Sequence, residues 1–175
     1  GRQMALDALQ RLSPDGEGAW RVLEMVARDK QCPNPDKACH GQSCPLAEGF
    51  YDRLPAARQQ ALEQPMLTSQ RLQQVASEHQ VCPYYLSQEM LRWADAIVGD
   101  YNYFFDTHAV LYSQTLVQQW RSAVLVDEAH NLVERARSMY SASFSQVQLR
   151  MARKAAPSAL KRHFAPLTRL MEHLI

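Results

Sequence analysis

Apolar positions recur along the chain in patterns that predict a mostly helical protein interrupted by two short buried strands. Met4, Leu6, Leu9 and Leu12 share one side of a helix over residues 3–12, which Ser13-Pro14-Asp15-Gly16 should break. Trp20, Leu23, Val26 and Ala27 fall on one stripe, predicting a second helix over 18–29. Residues 32–50, CPNPDKACHGQSCPLAEGF, carry Pro33, Pro35, Gly41 and Pro45 and read as an irregular loop. Helices are expected over 55–63 and 68–79, the latter capped by Thr68 or Ser69, and over YYLSQEMLRWA after Cys82.

Two runs break the helical period. AIVGDY at 96–101 and SAVLVD at 122–127 are short, rich in Val and Ile, and bounded by polar residues. They read as buried strands of a parallel sheet, with NYFFDTHAVLYSQTL between them as a crossover helix. EAHNLVERARSMY begins another helix, and the remainder to Ile175 is helical. The expected fold class is therefore mainly α with a small parallel β-α-β portion. No repeats or low-complexity segments are present.

Composition narrows the class. Hydrophobic residues are 46% and charged residues 21% of 175, the balance of an ordinary globular chain. Nothing resembles a signal peptide or a spanning helix, which places the chain in a reducing, intracellular compartment. Clustered cysteines there bind metal more often than they form disulfides. The net charge of +1 conceals a split. Residues 145–175 hold Arg150, Arg153, Lys154, Lys161, Arg162 and Arg169 against Glu172 alone, leaving the first 144 residues at about −4. Such a tail suits a polyanion, or a helix with a solvated basic face.

The four cysteines, Cys32, Cys39, Cys44 and Cys82, are spaced C-x6-C-x4-C-x37-C. A structural zinc site usually draws on close pairs such as C-x2-C, absent here. An iron–sulfur cube accepts thiolates from wider, irregular loops. Proline beside Cys32, Cys44 and Cys82 stiffens the loop in either case. Spacing alone leaves a 4Fe–4S cluster, zinc, and inert or paired thiols open, with His40 and His79 as substitute ligands.

VLVDEAH supplies the second constellation. An apolar run ending in two acids has the pattern of a Walker B strand, which delivers its acid to the carboxyl edge of a parallel sheet. Asp127 would hold Mg²⁺, Glu128 would orient and deprotonate the attacking water, and His130 would sense the γ-phosphate of ATP. The plainer reading is a strand followed by an acidic helix N-terminus.

Taken in order, the cysteine cluster, CPYY, ADAIVGDYNYFFD and VLVDEAHNL resemble the XPD/DinG family of superfamily 2 DNA helicases. The resemblance covers residues 20–140 and, as the start of an arch domain, 141–175. It implies an iron–sulfur domain over 1–95, part of a RecA-like motor domain over 96–140, and helical arch from 141. It implies that Cys32, Cys39, Cys44 and Cys82 ligate a 4Fe–4S cluster, and that Asp127, Glu128 and His130 serve Mg²⁺ and ATP in the parent enzyme. Partners would be single-stranded DNA or single/double-strand junctions, with 5′-to-3′ movement, in a bacterial cytoplasm or a eukaryotic nucleus. Lys30, Lys37, Arg53, Arg58, Arg71 and Arg92, with Tyr84 and Tyr85, are candidate DNA contacts, since single-strand channels combine cations with aromatic platforms. Tyr101-Asn102-Tyr103 matches a family phrase, and Phe104 and Phe105 are expected in the core. The sequence contains no G-x-x-x-x-G-K-[S/T] loop, so it reads as a segment of a larger enzyme, inactive alone. Rival readings are a zinc-binding protein-interaction module and an iron–sulfur nucleic-acid enzyme such as a glycosylase or primase.

Overall fold

The structure, a computed structural model, describes residues 1–13, 19–106, 108–143 and 145–173. The expected break at Pro14-Asp15-Gly16 lies outside them. In chain order the elements are α1 (Arg2–Leu12), β1 (Val22–Glu24), α2 (Arg28–Gln31), α3 (Phe50–Leu62), β2 (Met66–Leu67), α4 (Ser69–Glu78), α5 (Pro83–Met90) running into a 3-10 turn (Leu91–Trp93), β3 (Ala96–Val98), α6 (Asn102–Phe105), α7 (Val110–Val117), α8 (Asn131–Met139), α9 (Gln146–Ala155) and α10 (Ser158–His173). The chain divides into two compact units, Gly1–Asp127 and Glu128–Ile175.

The first unit is organised by a three-stranded parallel sheet in the order β2-β1-β3. Val22 aligns with Met66 and Ala96, Leu23 with Leu67 and Ile97, and Glu24 with Val98. Because side chains alternate faces, this register sorts the apolar residues into two layers. Val22, Met66, Ala96 and Val98 pack with Leu6 and Leu9 of α1. Leu23, Leu67 and Ile97 turn the other way, against Leu54, Ala57 and Ala61 of α3, Leu72, Val75 and Ala76 of α4, and Leu86 and Met90 of α5. Those helical residues recur at three- and four-residue steps, which is why each helix offers one continuous face.

Polar groups at the layer ends are matched. The Thr68 hydroxyl accepts a hydrogen bond from the Arg71 N–H at 3.3 Å, capping α4 as the sequence suggests. Glu24 Oε2 accepts a second orphan donor of that turn, the Ser69 N–H, at 2.8 Å, and Oε1 lies 3.7 Å from Arg2. One carboxylate thus joins β1, α4 and α1. Arg21 and Asp95 lock the entries of β1 and β3, the Arg21 N–H donating to Asp95 Oδ2 and the Asp95 N–H to the Arg21 carbonyl, each at 2.8 Å.

Three expectations need correction. The helix over 18–29 is absent among the described residues: Val22–Glu24 is the central strand and only Arg28–Gln31 is helical. A strand buried on both faces is apolar at consecutive positions, and VLEMVA mimics a helical stripe over so short a run. The strand over 122–127 is also absent, and with it the β-α-β unit ending in that strand. Residues 121–126 have no regular structure and Leu125 is 97% exposed. A strand needs a neighbour for its N–H and C=O groups, and neither edge of the described sheet pairs with this run. Finally, Phe104 and Phe105 lie at the surface, half-buried and exposed, stacked edge-on with a 5.1 Å centroid separation. β1 and β3, which lie on either side of residue 95, are paired neighbours in the sheet.

The second unit contains α8, α9 and α10, in keeping with the helical reading of the C-terminal third. α9 begins with a reciprocal capping box, the Ser145 hydroxyl accepting from the Gln148 N–H at 3.2 Å and Gln148 Oε1 from the Ser145 N–H at 3.1 Å. α9 packs on α10, with Leu149 buried. Among the described residues no helix is long and apolar enough to cross a membrane.

Leu86 is fully buried in the α3–α5 layer. Leu86→Ala is expected to lower unfolding stability by about 2–5 kcal/mol, read from urea titration of the helical circular dichroism.

Candidate metal centre and nucleic-acid interface

All three strands are parallel, so their carboxyl ends share one edge, where α/β folds place their ligands. β1 leads there into α2 and Cys32, and β3 into Gly99-Asp100-Tyr101. Gly99 sits in close packing: a Cβ at that position would meet Tyr103 Cδ2 at 3.2 Å and Met25 Cβ at 3.3 Å, so both would have to give by a few tenths of an ångström.

The cysteines arrive from two directions. Cys32 ends α2, its N–H donating to the Arg28 carbonyl at 2.7 Å. The loop that follows is a succession of turns. The Cys44 N–H donates to the His40 carbonyl at 2.9 Å, and the Cys44 carbonyl accepts from Ala47 and Glu48 at 2.9 and 3.2 Å. Cys82 is the N-cap residue of α5, followed by Pro83 in the first turn, where a missing N–H costs nothing. α2 packs against α5, bringing Cys32 and Cys82 to the same side. None of the four thiols is in a disulfide; Cys39 is exposed and the others partly buried. Burial pushes the Cys82 thiol up, and Cys32 and Cys39 add to the rise, while the N–H groups of Tyr85 and Tyr84 pull it down.

Arg28 Nη1 donates to Cys39 Sγ at 3.8 Å, and the Cys39 charge, with that of Asp29, raises the guanidinium pKa further. Among the described residues no three of His, Cys, Asp and Glu converge tightly enough for a single ion. His40 Nε2 is paired with Ser43 Oγ at 3.2 Å, and His79, at the end of α4, with Gln60.

The residues nominated for DNA divide by their engagement. Lys30, Lys37, Arg71 and Arg92 are exposed, with Arg71 Nη1 reaching Gln74 along its own helix at 3.2 Å. Arg58 pairs with Glu89 at 2.9 Å and ties α3 to α5. Arg53 donates to three backbone carbonyls: Nε to Gln80 at 3.1 Å, and Nη2 to Pro45 at 3.2 Å and Glu48 at 2.6 Å. Tyr84 and Tyr85 belong to a longer aromatic row that sequence reasoning missed. Ring centroids run from Tyr51 to Phe50 at 5.4 Å, Phe50 to Tyr85 at 6.1 Å and Tyr85 to Tyr84 at 5.4 Å, all edge-to-face. Tyr51 is 82% exposed. The Phe50-Tyr51 pair soon after Cys44 was the available signal.

The acidic motif straddles the two units. In the first, Asp127 is exposed, with Oδ2 3.6 Å from the Gly1 ammonium. In the second, Glu128 adopts a left-handed backbone at φ 54°, and its Oε2 lies 3.4 Å from His130 Nδ1. The Glu128 carbonyl accepts the Asn131 N–H at 3.0 Å, starting α8. The expected sheet edge beneath Asp127 is absent among the described residues, because 122–127 is not a strand.

Residues 20–149 match the DEAD_2 family, and the chain belongs to this group of XPD-like helicases. It is 31% identical over 123 residues to the general transcription and DNA repair factor IIH helicase subunit XPD of Dictyostelium discoideum, covering 70% of this chain and 15% of that protein. Similarity to the human regulator of telomere elongation helicase 1 is 36% over 124 residues, covering 64% of this chain and 10% of that one. An Anopheles gambiae homolog of the same regulator is 26% identical over 171 residues, covering 88% of this chain and 17% of that one. The chain thus spans a small part of each relative's length. No solved structure matches.

Beside this edge, the Tyr103 phenol is pushed up to about 12, chiefly by burial, then by Tyr84 and Asp100, with Arg2 opposing. An unfolded tyrosine titrates near 10, so the neutral phenol's contribution to stability is complete below about pH 10 and lost between about 10 and 12. A tyrosinate absorbance titration should show one phenol ionising near 12 that Tyr103→Phe removes.

Proposed function

We propose that the chain is the segment of an ATP-dependent DNA helicase in which a 4Fe–4S cluster, held by Cys32, Cys39, Cys44 and Cys82, braces a surface for single-stranded DNA. The observation that carries the reading is the meeting of α2 with α5, which brings Cys32 at the C-cap of one helix toward Cys82 at the N-cap of the other. The donor set fits: four soft thiols, none of them in a disulfide. In a zinc site, sulfurs about 2.3 Å from one ion would crowd together, whereas a cube spreads its ligands over separate irons. When bound, the cluster supplies a rigid crosslink between the loop and α5.

The chain's own residues do the rest. Arg28 directs positive charge at Cys39 and offsets the anionic character of clustered thiolates. The exposed rings of Tyr51 and Tyr85 offer faces on which bases stack, and Lys30, Lys37, Arg71 and Arg92 are exposed cations for phosphates. In the parent enzyme, Asp127 would hold Mg²⁺, Glu128 would orient water and His130 would couple nucleotide state to DNA, with 5′-to-3′ movement. The run 122–127 has the composition of a buried strand, and a neighbouring strand of the parent would lift Asp127 to the sheet edge.

Anaerobically purified chain is expected to be brown, with broad visible absorbance and about four irons. Cys82→Ser should lose both while keeping its helical circular dichroism. A colourless, iron-free and well-folded wild type, or one carrying zinc, overturns the cluster reading. With no phosphate-binding loop in its sequence, the chain alone should release no phosphate from ATP in a malachite-green assay, with or without single-stranded DNA. DNA-stimulated turnover would contradict this.

A further inference from the structure

We infer that Arg53 is a positioning residue that holds the Cys44 loop against the Cys82 turn, setting the span between two of the four thiols before any group binds. The inference rests on the cluster reading for its purpose but not for its geometry.

Arg53 lies in the first turns of α3, between the two segments. Its fork reaches both. Nη2 donates to the carbonyls of Pro45 and Glu48, the first immediately after Cys44 and the second in the turn whose N–H returns to the Cys44 carbonyl. Nε donates to the carbonyl of Gln80, two residues ahead of Cys82. Each bond is charge-assisted, stronger than a neutral pair, and the planar guanidinium fixes their mutual angle. Gln80 adopts φ 53°, which turns the chain out of α4 and toward Val81 and Cys82. Val81 is buried in the core, so the Cys82 side of the clamp is itself anchored. On the other side, α3 starts after Gly49, whose left-handed backbone at φ 60° lets the loop reverse into the helix. A Cβ there would stand 3.1 Å from Arg53 Nη1, so the same turn leaves room for the guanidinium.

No lysine can replace this fork. An ammonium on a flexible stem serves one side at a time, whereas three carbonyls on two segments call for donors at fixed separation. The Arg53 charge, engaged by main-chain oxygens, is thereby assigned to the scaffold of the site.

The test uses the full chain in two arms. In the first, spin labels on Cys44 and Cys82, in a Cys32→Ser, Cys39→Ser background, report the distance distribution without cluster. A narrow distribution is expected with Arg53, a broad one for Arg53→Ala and an intermediate one for Arg53→Lys. In the second, iron loss to a chelator is followed by visible absorbance. Arg53→Ala should lose iron about tenfold faster or more, the scale typical of groups that orient metal ligands, with helical circular dichroism retained. If Arg53→Ala does not fold, Arg53→Lys decides. Unchanged distances and unchanged iron retention in the folded variant overturn the inference while leaving the cluster reading intact. A wild type without iron overturns the cluster reading, and the spin-label arm still decides the clamp.

Discussion

Burial of β1 on both faces is the constraint from which the first unit follows. Val22 and Leu23 are adjacent in sequence and face opposite layers, so α1 and the α3–α5 group are held apart by a strand of three residues. Parallel pairing on both sides then sends every carboxyl end to one edge. The connections leaving β1 and β2 carry the cysteines, and the packing of α2 on α5 brings Cys32 and Cys82 to the same side. Glu24 ends that strand and binds the start of α4 and Arg2, making the end of β1 an electrostatic joint as well as a packing one.

The helices were legible because their signal is long. α1, α3, α4 and α5 each repeat an apolar face over two or more turns, and Thr68 announces its cap chemically. β1 and β2 were not, since strands of three and two residues offer no period to count. The run at 122–127 shows the opposite failure. Its composition speaks of burial, but composition does not say whether a covering surface belongs to the same stretch of chain.

The site divides likewise. The cysteines and the DEAH letters are nominated by residue type alone. The duties of cations are not. Lys30, Arg53, Arg58 and Arg92 look alike as letters, yet one grips three carbonyls, one pairs with Glu89 and two face solvent. Those differences are tertiary, fixed by which carbonyls and carboxylates the fold brings within reach. The aromatic row has the same character: Phe50 and Tyr85 lie on different helices and meet only through packing of α3 on α5.

Glu128 illustrates a tension of another kind. Its left-handed φ of 54° is a region where side chains bearing a Cβ sit at a cost of about 1 kcal/mol and glycine sits freely. Replacement by glycine would relax the backbone and remove the carboxylate in one step. Thermodynamic comfort and acidic chemistry are therefore opposed at that position, and selection for heat tolerance alone would drift toward erasing the second half of the acidic pair.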